Sequence, residues 1–351
     1  MATPAEDAQN WLDKQIRAAE ELITGGGQAL RRGQTNAGSQ ALREAEAILE
    51  MAEIETDALL EMRARVFNEL GVVHQRGNDL ETARDYHSQA AQLSTQLLEK
   101  GRDIAANSAA THLNLSSIHL ALGEVEKALE FGEKALQLLE ESRENTPEDQ
   151  RRPSALQLGA LQNLAVIQAR RESWEKAGEA MEKARVLVEE LVEAGRPDFL
   201  AQLAQGCQQL SVVLFDGEQF DDALHWGEVA EGLSERAYEK LGQPVLPVYI
   251  ISQINLISYN EKLGRFADGE DCLWKALDVA GEDPRILERG VVFYETCRKQ
   301  ADPRLEEGNL PREEVEEGYE EILERVEAVG GLKAVREQAQ QIRQSQRGRP
   351  R

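Results

Sequence analysis

Histidine and cysteine are the side chains most often put to catalytic or metal-binding use, and this chain has few of either. The five histidines are His74, His87, His112, His119 and His225. His112 and His119 stand seven apart, so a helix would put them on one face. Two imidazoles without a carboxylate at matching spacing make a poor metal site, however. No HExxH, Cys/His cluster or G-x-S-x-G stretch occurs. Cys207, Cys272 and Cys297 lack CxxC spacing and form an odd set. They read as small buried hydrophobes in a reducing compartment, neither a disulfide framework nor a zinc site. Gly25-Gly26-Gly27 precedes a helix as a phosphate cradle would, but no strand leads into it and no Gly-Lys-Ser/Thr follows, so it reads as a bend. With 64 acidic residues, paired carboxylates are expected by chance. These residues make no case for an enzyme, and no catalytic, cofactor-binding or metal-binding residue is expected.

The polar residues that do recur are amides. Asn114, Asn163, Gln209 and Asn255 each stand directly before a Leu or its equivalent in a helical segment, with Asn68 or Glu69 at that place upstream. An amide offers one acceptor and two donors, so it can pair with an extended backbone largely regardless of its sequence.

An internal repeat must position these amides. The stretch Asn114-Leu-Ser-Ser-Ile-His-Leu-Ala-Leu-Gly123 reads as a helix ended by glycine, and Val125, Ala128, Gly132 and Ala135 form a small-residue stripe on the next helix. The skeleton returns with Asn163-Leu-Ala, Trp174, Ala177 and Ala184, then with Gln209-Leu-Ser, Phe220, Ala223, Gly227 and Ala230. It returns again with Asn255-Leu-Ile, Gly264, Phe266, Gly269 and Ala276. Upstream come Glu69-Leu-Gly, Asn78, Leu80, Ala83 and Ala90, preceded by a degenerate copy with Gly33, Gly38, Leu42 and Ala45. The small residues Gly38, Ala83, Ala128, Ala177, Ala223 and Gly269 are spaced 45, 45, 49, 46 and 46 apart. Such residues let two helices of a hairpin approach closely. Gly33, Gly123, Gly264 and Asn78 suit a left-handed stop after the first helix. Glu172 and Glu218 at that place predict either a strained turn or one shifted onto Gly217. The apolar residue two places later (Leu80, Val125, Trp174, Phe220, Phe266) should open the second helix.

These motifs resemble the tetratricopeptide repeat, L-G/A/S-x2-Y…G-x-Y/F-x2-A-x3-F-x2-A, over residues 28–280. The tyrosine place is degenerate (His74, His119, Gln168, Leu214, Asn260), and the period of about 45 exceeds the usual 34 or so. Long repeats of this kind are similar to those of kinesin light chains and of bacterial arrays that accompany signalling ATPases and CHAT proteases. The resemblance implies an all-α fold, a right-handed α-solenoid of stacked antiparallel helix hairpins. It also implies that Asn68, Asn114, Asn163, Gln209 and Asn255 line a concave peptide-binding groove, with Arg170, Phe215, Ser117 and Ser258 along the same face. The alternative is that each amide only contacts a neighbouring helix.

The organisation expected is one solenoid over 1–345 with six to seven hairpins, its best repeats at 60–280. Residues 5–24 read as an amphipathic helix with Trp11, Leu12, Ile16, Ala19 and Ile23 on one face, ended by the glycine run. Segments 284–300 and 311–329 read as a seventh hairpin joined through Pro303, Gly308 and Pro311. A helix near 331–345 would cap the end, and 346–351 would be a disordered basic tail. The net charge of −24 argues against nucleic acid and anionic membrane as partners. The N-terminus shows no secretory pattern, and the most apolar window, 245–257, is too short and polar to span a bilayer, so a cytoplasmic protein is expected. The partner expected is another protein or a peptide, with no cofactor. A second reading is a regulatory or sensor subunit that switches a separate effector or senses a small signalling peptide.

Overall fold

A computed structural model describes residues 4–52, 55–147 and 154–347. It is all-α, and among the described residues there is no strand. Six hairpins follow in order. They are α1 (Pro4–Arg31) with α2 (Thr35–Glu50), α3 (Asp57–Arg76) with α4 (Leu80–Glu99), and α5 (Ala105–Ala121) with α6 (Val125–Glu144). Then come α7 (Ala155–Arg170) with α8 (Trp174–Glu193), α9 (Asp198–Asp216) with α10 (Phe220–Leu241), and α11 (Leu246–Leu263) with α12 (Phe266–Ala280). The C-terminal part holds α13 (Pro284–Arg298), the short α14 (Asp302–Glu307), α15 (Arg312–Ala328) and α16 (Gly331–Arg347). The remainder of the basic tail, 348–351, lies outside the described residues. The chain divides into two compact units, 1–167 and 168–351, with the division inside α7.

The period originates in the turns. Gly33, Asn78, Gly123, Glu172, Glu218 and Gly264 all take left-handed backbone, with φ between 58° and 79°. In each case the next residue's N–H reaches back five residues to a helix carbonyl: Gln34 to Ala29, Asp79 to His74, Glu124 to His119, Ser173 to Gln168, Gln219 to Leu214, Arg265 to Asn260, all at 2.8–2.9 Å. This is the Schellman stop, which satisfies a carbonyl that the helix end leaves open. Glu172 and Glu218 thus adopt the strained turn, and Gly217 keeps φ −84°. Gly217 has a different task. A Cβ there would lie 2.8 Å from the Trp174 ring, so glycine admits the indole that opens α8.

The same stop recurs where the sequence reading did not place it, at Asn309, 45 residues beyond Gly264, with φ 56° and Leu310 N–H on Leu305 O at 3.0 Å. Read in that register, α13 and α14 are one first helix broken at 299–301. Arg312 fills the break, donating to the carbonyls of Arg298 and Gln300 while pairing with Asp302 at 2.9 Å.

Within the hairpins the small residues are buried, and they set the crossings. Gly38 would place a Cβ 2.6 Å from Leu30 Cγ, and Gly269 would place one 3.6 Å from Asn260 Cβ on α11 and 3.0 Å from the Phe293 ring on α13 of the next hairpin. Ser116 Oγ donates to the Ala128 carbonyl at 2.6 Å, which only a close α5–α6 approach permits.

The glycine run does not break the first helix: α1 continues through Gly25–Gly27 to Arg31. The reason is packing. A Cβ at Gly26 would sit 3.1 Å from the Gly38 carbonyl and 3.2 Å from Leu42 Cγ, so Gly26 and Gly38 face each other and bring α1 and α2 together. The bend expected at 25–27 is absent, and the helix runs on to the stop at Gly33, where the repeat places it. Leu12, Ala19 and Ile23 are buried as the pattern predicts, whereas Trp11 is 42% exposed.

This assignment predicts opposite signs for adjacent substitutions. Gly25 has open space and Gly27 has only ordinary contact distances around an added Cβ. Gly25→Ala and Gly27→Ala should each stabilise by about 0.5–1 kcal/mol, the helix-propensity difference. Gly26→Ala should cost about 1–3 kcal/mol by overpacking against backbone. Denaturant unfolding of the three variants checks this, and equal signs would refute the α1–α2 crossing.

Candidate functional site

First helices of neighbouring hairpins touch directly: α1 with α3 and α3 with α5 in the first unit, α9 with α11 and α11 with α13 in the second. Second helices instead pack between first helices. In each unit the first helices therefore form the tighter layer, and the recurring amides lie on it.

In the first unit the amides are tied to one another. Asn68 Oδ1 accepts from His87 Nδ1 at 3.0 Å, from Thr111 Oγ1 at 3.2 Å and from Asn114 Nδ2 at 3.1 Å. One carbonyl oxygen thus joins α3, α4 and α5, and what Asn68 still offers is its own N–H donors. Asn163 Nδ2 donates to Ser116 Oγ at 3.0 Å and Ser117 Oγ at 3.3 Å. Ser117 in turn donates to the Leu113 carbonyl. Asn114 and Asn163 are half-buried, and each spends its donor side on a neighbouring helix.

Beside Asn68 opens a cleft of about 320 Å³ lined by α1, α3, α4 and α5. Its polar walls include Arg31, Glu61, Arg65, Asn68, Glu69 and Thr111. Burial raises the pKa of the Glu69 carboxyl, while Arg31, Arg76 and Arg65 pull it down from a distance. Arg65 turns toward Glu20 at 3.9 Å and Met62 Sδ at 3.6 Å, and Arg76 donates to the Leu30 carbonyl at 3.3 Å.

The second unit is more open. Gln209 is exposed, and Asn255 is half-buried. The bridging role falls to the residue before Gln209: Gln208, 7% exposed, donates to the Val248 carbonyl and to Ser252 Oγ, both at 2.7 Å. Phe215 packs between Phe220 and Tyr259, at 5.2 and 4.8 Å between ring centroids. Ser258 donates to the Ile254 carbonyl and receives Arg289, whose other end pairs with Glu261 at 2.6 Å. Arg170 is exposed in the last turn of α7. Three aliphatics on these first helices are exposed: Val212 (41%), which the repeat register places on the amide face, and Ile251 (36%) and Val292 (40%), which it does not.

The histidines have structural partners. His74 and His119 contact the acids that open the next helix, Asp79 at 3.0 Å and Glu124 at 2.8 Å, and stack on Tyr86 and Phe131. His112 also lies against Phe131, so the i, i+7 pair shares a phenyl ring. His225 is exposed beside Trp226. Burial pushes the thiols of Cys207, Cys272 and Cys297 up to about 12. Among the described residues, no group of three His, Cys, Asp or Glu side chains is arranged to hold a metal ion, and no helix is long and apolar enough to cross a membrane.

His87 makes the junction pH-dependent. Its Nδ1 is spent on Asn68, its Nε2 is buried without a partner, and burial pushes its pKa down to about 4. An unfolded imidazole titrates near 6.5 or so, so above that pH both states are neutral and the group contributes nothing. Between about 6.5 and about 4 the unfolded chain takes up a proton that the folded chain refuses, and stability falls as pH falls. The loss is at most about 3 kcal/mol and levels off below the folded value. The stability gap between the parent and His87→Gln should therefore narrow from pH 7 to pH 4.5 in denaturant titrations. A pH-independent gap would contradict the assignment.

The chain is similar in structure to the apo form of RapI, with a TM-score of 0.51 at 16% identity, over 88% of this chain and 97% of that one. It is also similar to a tetratricopeptide repeat protein from Parabacteroides merdae, with a TM-score of 0.47 at 14% identity, over 87% and 99%. A third similar structure is a Rap protein complexed with competence and sporulation factor, with a TM-score of 0.49 at 12% identity, over 95% and 100%. No curated protein matches the chain. The fold is of the tetratricopeptide type, as the repeat predicts. Residues 8–327 match the model of DUF6483, a family of unknown function, and the chain belongs to that family.

Proposed function

We propose that this chain is a non-enzymatic protein-interaction scaffold whose first-helix layer receives an extended peptide or a helix from another protein. The observation that carries this reading is the composition of that layer in the second unit. Exposed Val212, Ile251 and Val292 stand on α9, α11 and α13, and the first two of these helices also hold Gln209, Asn255 and Ser258. Aliphatic side chains at the surface gain from being covered, while amides satisfy the backbone of whatever covers them. A strip of both kinds is what an extended or helical segment of another chain requires. In the first unit Asn114 and Asn163 retain their carbonyl oxygens for a ligand, since the interhelix bonds use their donors. Ser117 keeps the register of the first unit's layer, and Arg170 and Phe215 keep that of the second.

The test starts with affinity capture from the native host and mass spectrometry, followed by titration of the purified partner at one salt concentration. Each amide that makes one net hydrogen bond to the partner is worth about 0.5–1.5 kcal/mol. A Gln209→Ala, Asn255→Ala double variant should then weaken binding roughly ten-fold, with folding intact. An outer control, Glu133→Ala with Glu182→Ala, should stay within about two-fold. Normal binding by the inner variant together with loss in the outer one would place the partner on the second helices and overturn the reading.

A further inference from the structure

The cleft beside Asn68 holds a carboxylate that the fold leaves uncompensated. Glu69 is set into the wall between α1 and α3, and burial disfavours its charge. Three guanidiniums are near enough to be felt, but among the described residues none comes within ion-pair distance. Arg65 is engaged by Glu20 and Met62, Arg76 by the Leu30 carbonyl, and Arg31 stands exposed at the rim. Glu61 adds a second carboxylate to the lining. A half-buried, unpaired carboxylate is costly in the free protein and is relieved by a cation that enters with donors of its own.

Two further features shape the cleft. Gly27 forms part of it: an added Cβ would stand 3.8 Å from Glu69 Oε2 and 3.7 Å from Arg31 Nη1. The third glycine of the run therefore keeps open a space that any longer side chain would fill. Asn68, its oxygen saturated by three donors, presents N–H groups that suit a peptide carbonyl. At about 320 Å³ the cleft is at the lower limit of small-ligand pockets, room for one long side chain and its backbone. The net charge of −24 favours approach of a basic ligand.

We infer that this cleft takes the basic side chain, arginine or lysine, of a bound peptide, with Glu69 receiving the cation and Asn68 the adjacent carbonyl. The inference rests on the peptide-binding reading above and assigns its first unit a specificity pocket.

The test uses short probes on the full chain: acetyl-Gly-Ala-Arg-Ala-Gly-amide, its citrulline twin, and its glutamate counterpart, titrated by ligand-observed NMR. The arginine probe should bind at least about ten-fold more tightly than the citrulline probe, the difference being one charge in an isosteric group. Glu69→Gln should erase that preference to within about two-fold, while melting at or above the parent temperature, because an unpaired carboxylate has been removed. Gly27→Leu should abolish binding of all three probes and remain helical. Equal binding of arginine and citrulline, an undiminished preference in Glu69→Gln, or tightest binding of the glutamate probe would each overturn the inference. The Gln209→Ala, Asn255→Ala variant separates the two readings. If it loses the partner while the cleft ignores arginine, only the pocket assignment fails. If the cleft selects arginine while that variant binds its partner normally, only the groove reading fails.

Discussion

The constraint on which this structure rests is the left-handed residue between the two helices of each hairpin. Once one residue takes positive φ, the following N–H can reach back five residues and close the carbonyl that the helix end leaves open. That bond fixes where the first helix stops. After Asn78, Gly123, Glu172, Glu218 and Gly264 an apolar side chain two residues later starts the second helix, and five residues after the stop a small residue lands at the crossing. Gly33, Asn78, Gly123, Glu172, Glu218, Gly264 and Asn309 share the left-handed stop, and the spacing between them is the repeat. That glutamate serves twice shows how strongly the surrounding packing dictates the conformation, since a non-glycine residue there carries a penalty of about 1 kcal/mol or more.

What the turns impose on the first helices decides where recognition chemistry can sit. In each unit those helices lie close enough to touch, so polar side chains between them must either find one another or be left unsatisfied. Asn68, Asn163 and Gln208 meet this demand by bridging adjacent first helices. Positions one residue or one turn away escape it, and there Gln209, Val212 and Ile251 remain exposed. Bridging and exposed amides are thus neighbours on one helix, as Gln208 and Gln209 are, separated by about 100° of helix rotation.

Much of this was legible in the sequence because it depends on local chemistry. The hairpins, their stops and the small crossings follow from residue type and spacing, down to Trp174 and Phe220 as the first residues of α8 and α10. The failures share a cause, which is that a side chain's use depends on what another helix brings to it. Gly25-Gly26-Gly27 has the composition of a break, yet Gly38 on α2 makes Gly26 a packing residue within a continuous helix. Gln208 and Gln209 are identical in type, and only the position of α11 separates a buried bridge from an exposed amide. Phe215 reads as a surface group by register but is held between Phe220 and Tyr259. Asn309 could have been found by extending the 45-residue period past Gly264, but Pro303 and Pro311 obscure the helical pattern around it.

The most direct test is to substitute the two strained stops. Glu172 and Glu218 are exposed and hold φ 58° and 60°, so glycine removes strain there without removing a buried contact. Measured by denaturant unfolding, Glu172→Gly and Glu218→Gly should each stabilise the chain by about 1 kcal/mol despite glycine's freer unfolded state. If either substitution left stability unchanged or lowered it, the left-handed stop would not be the constraint that sets this repeat.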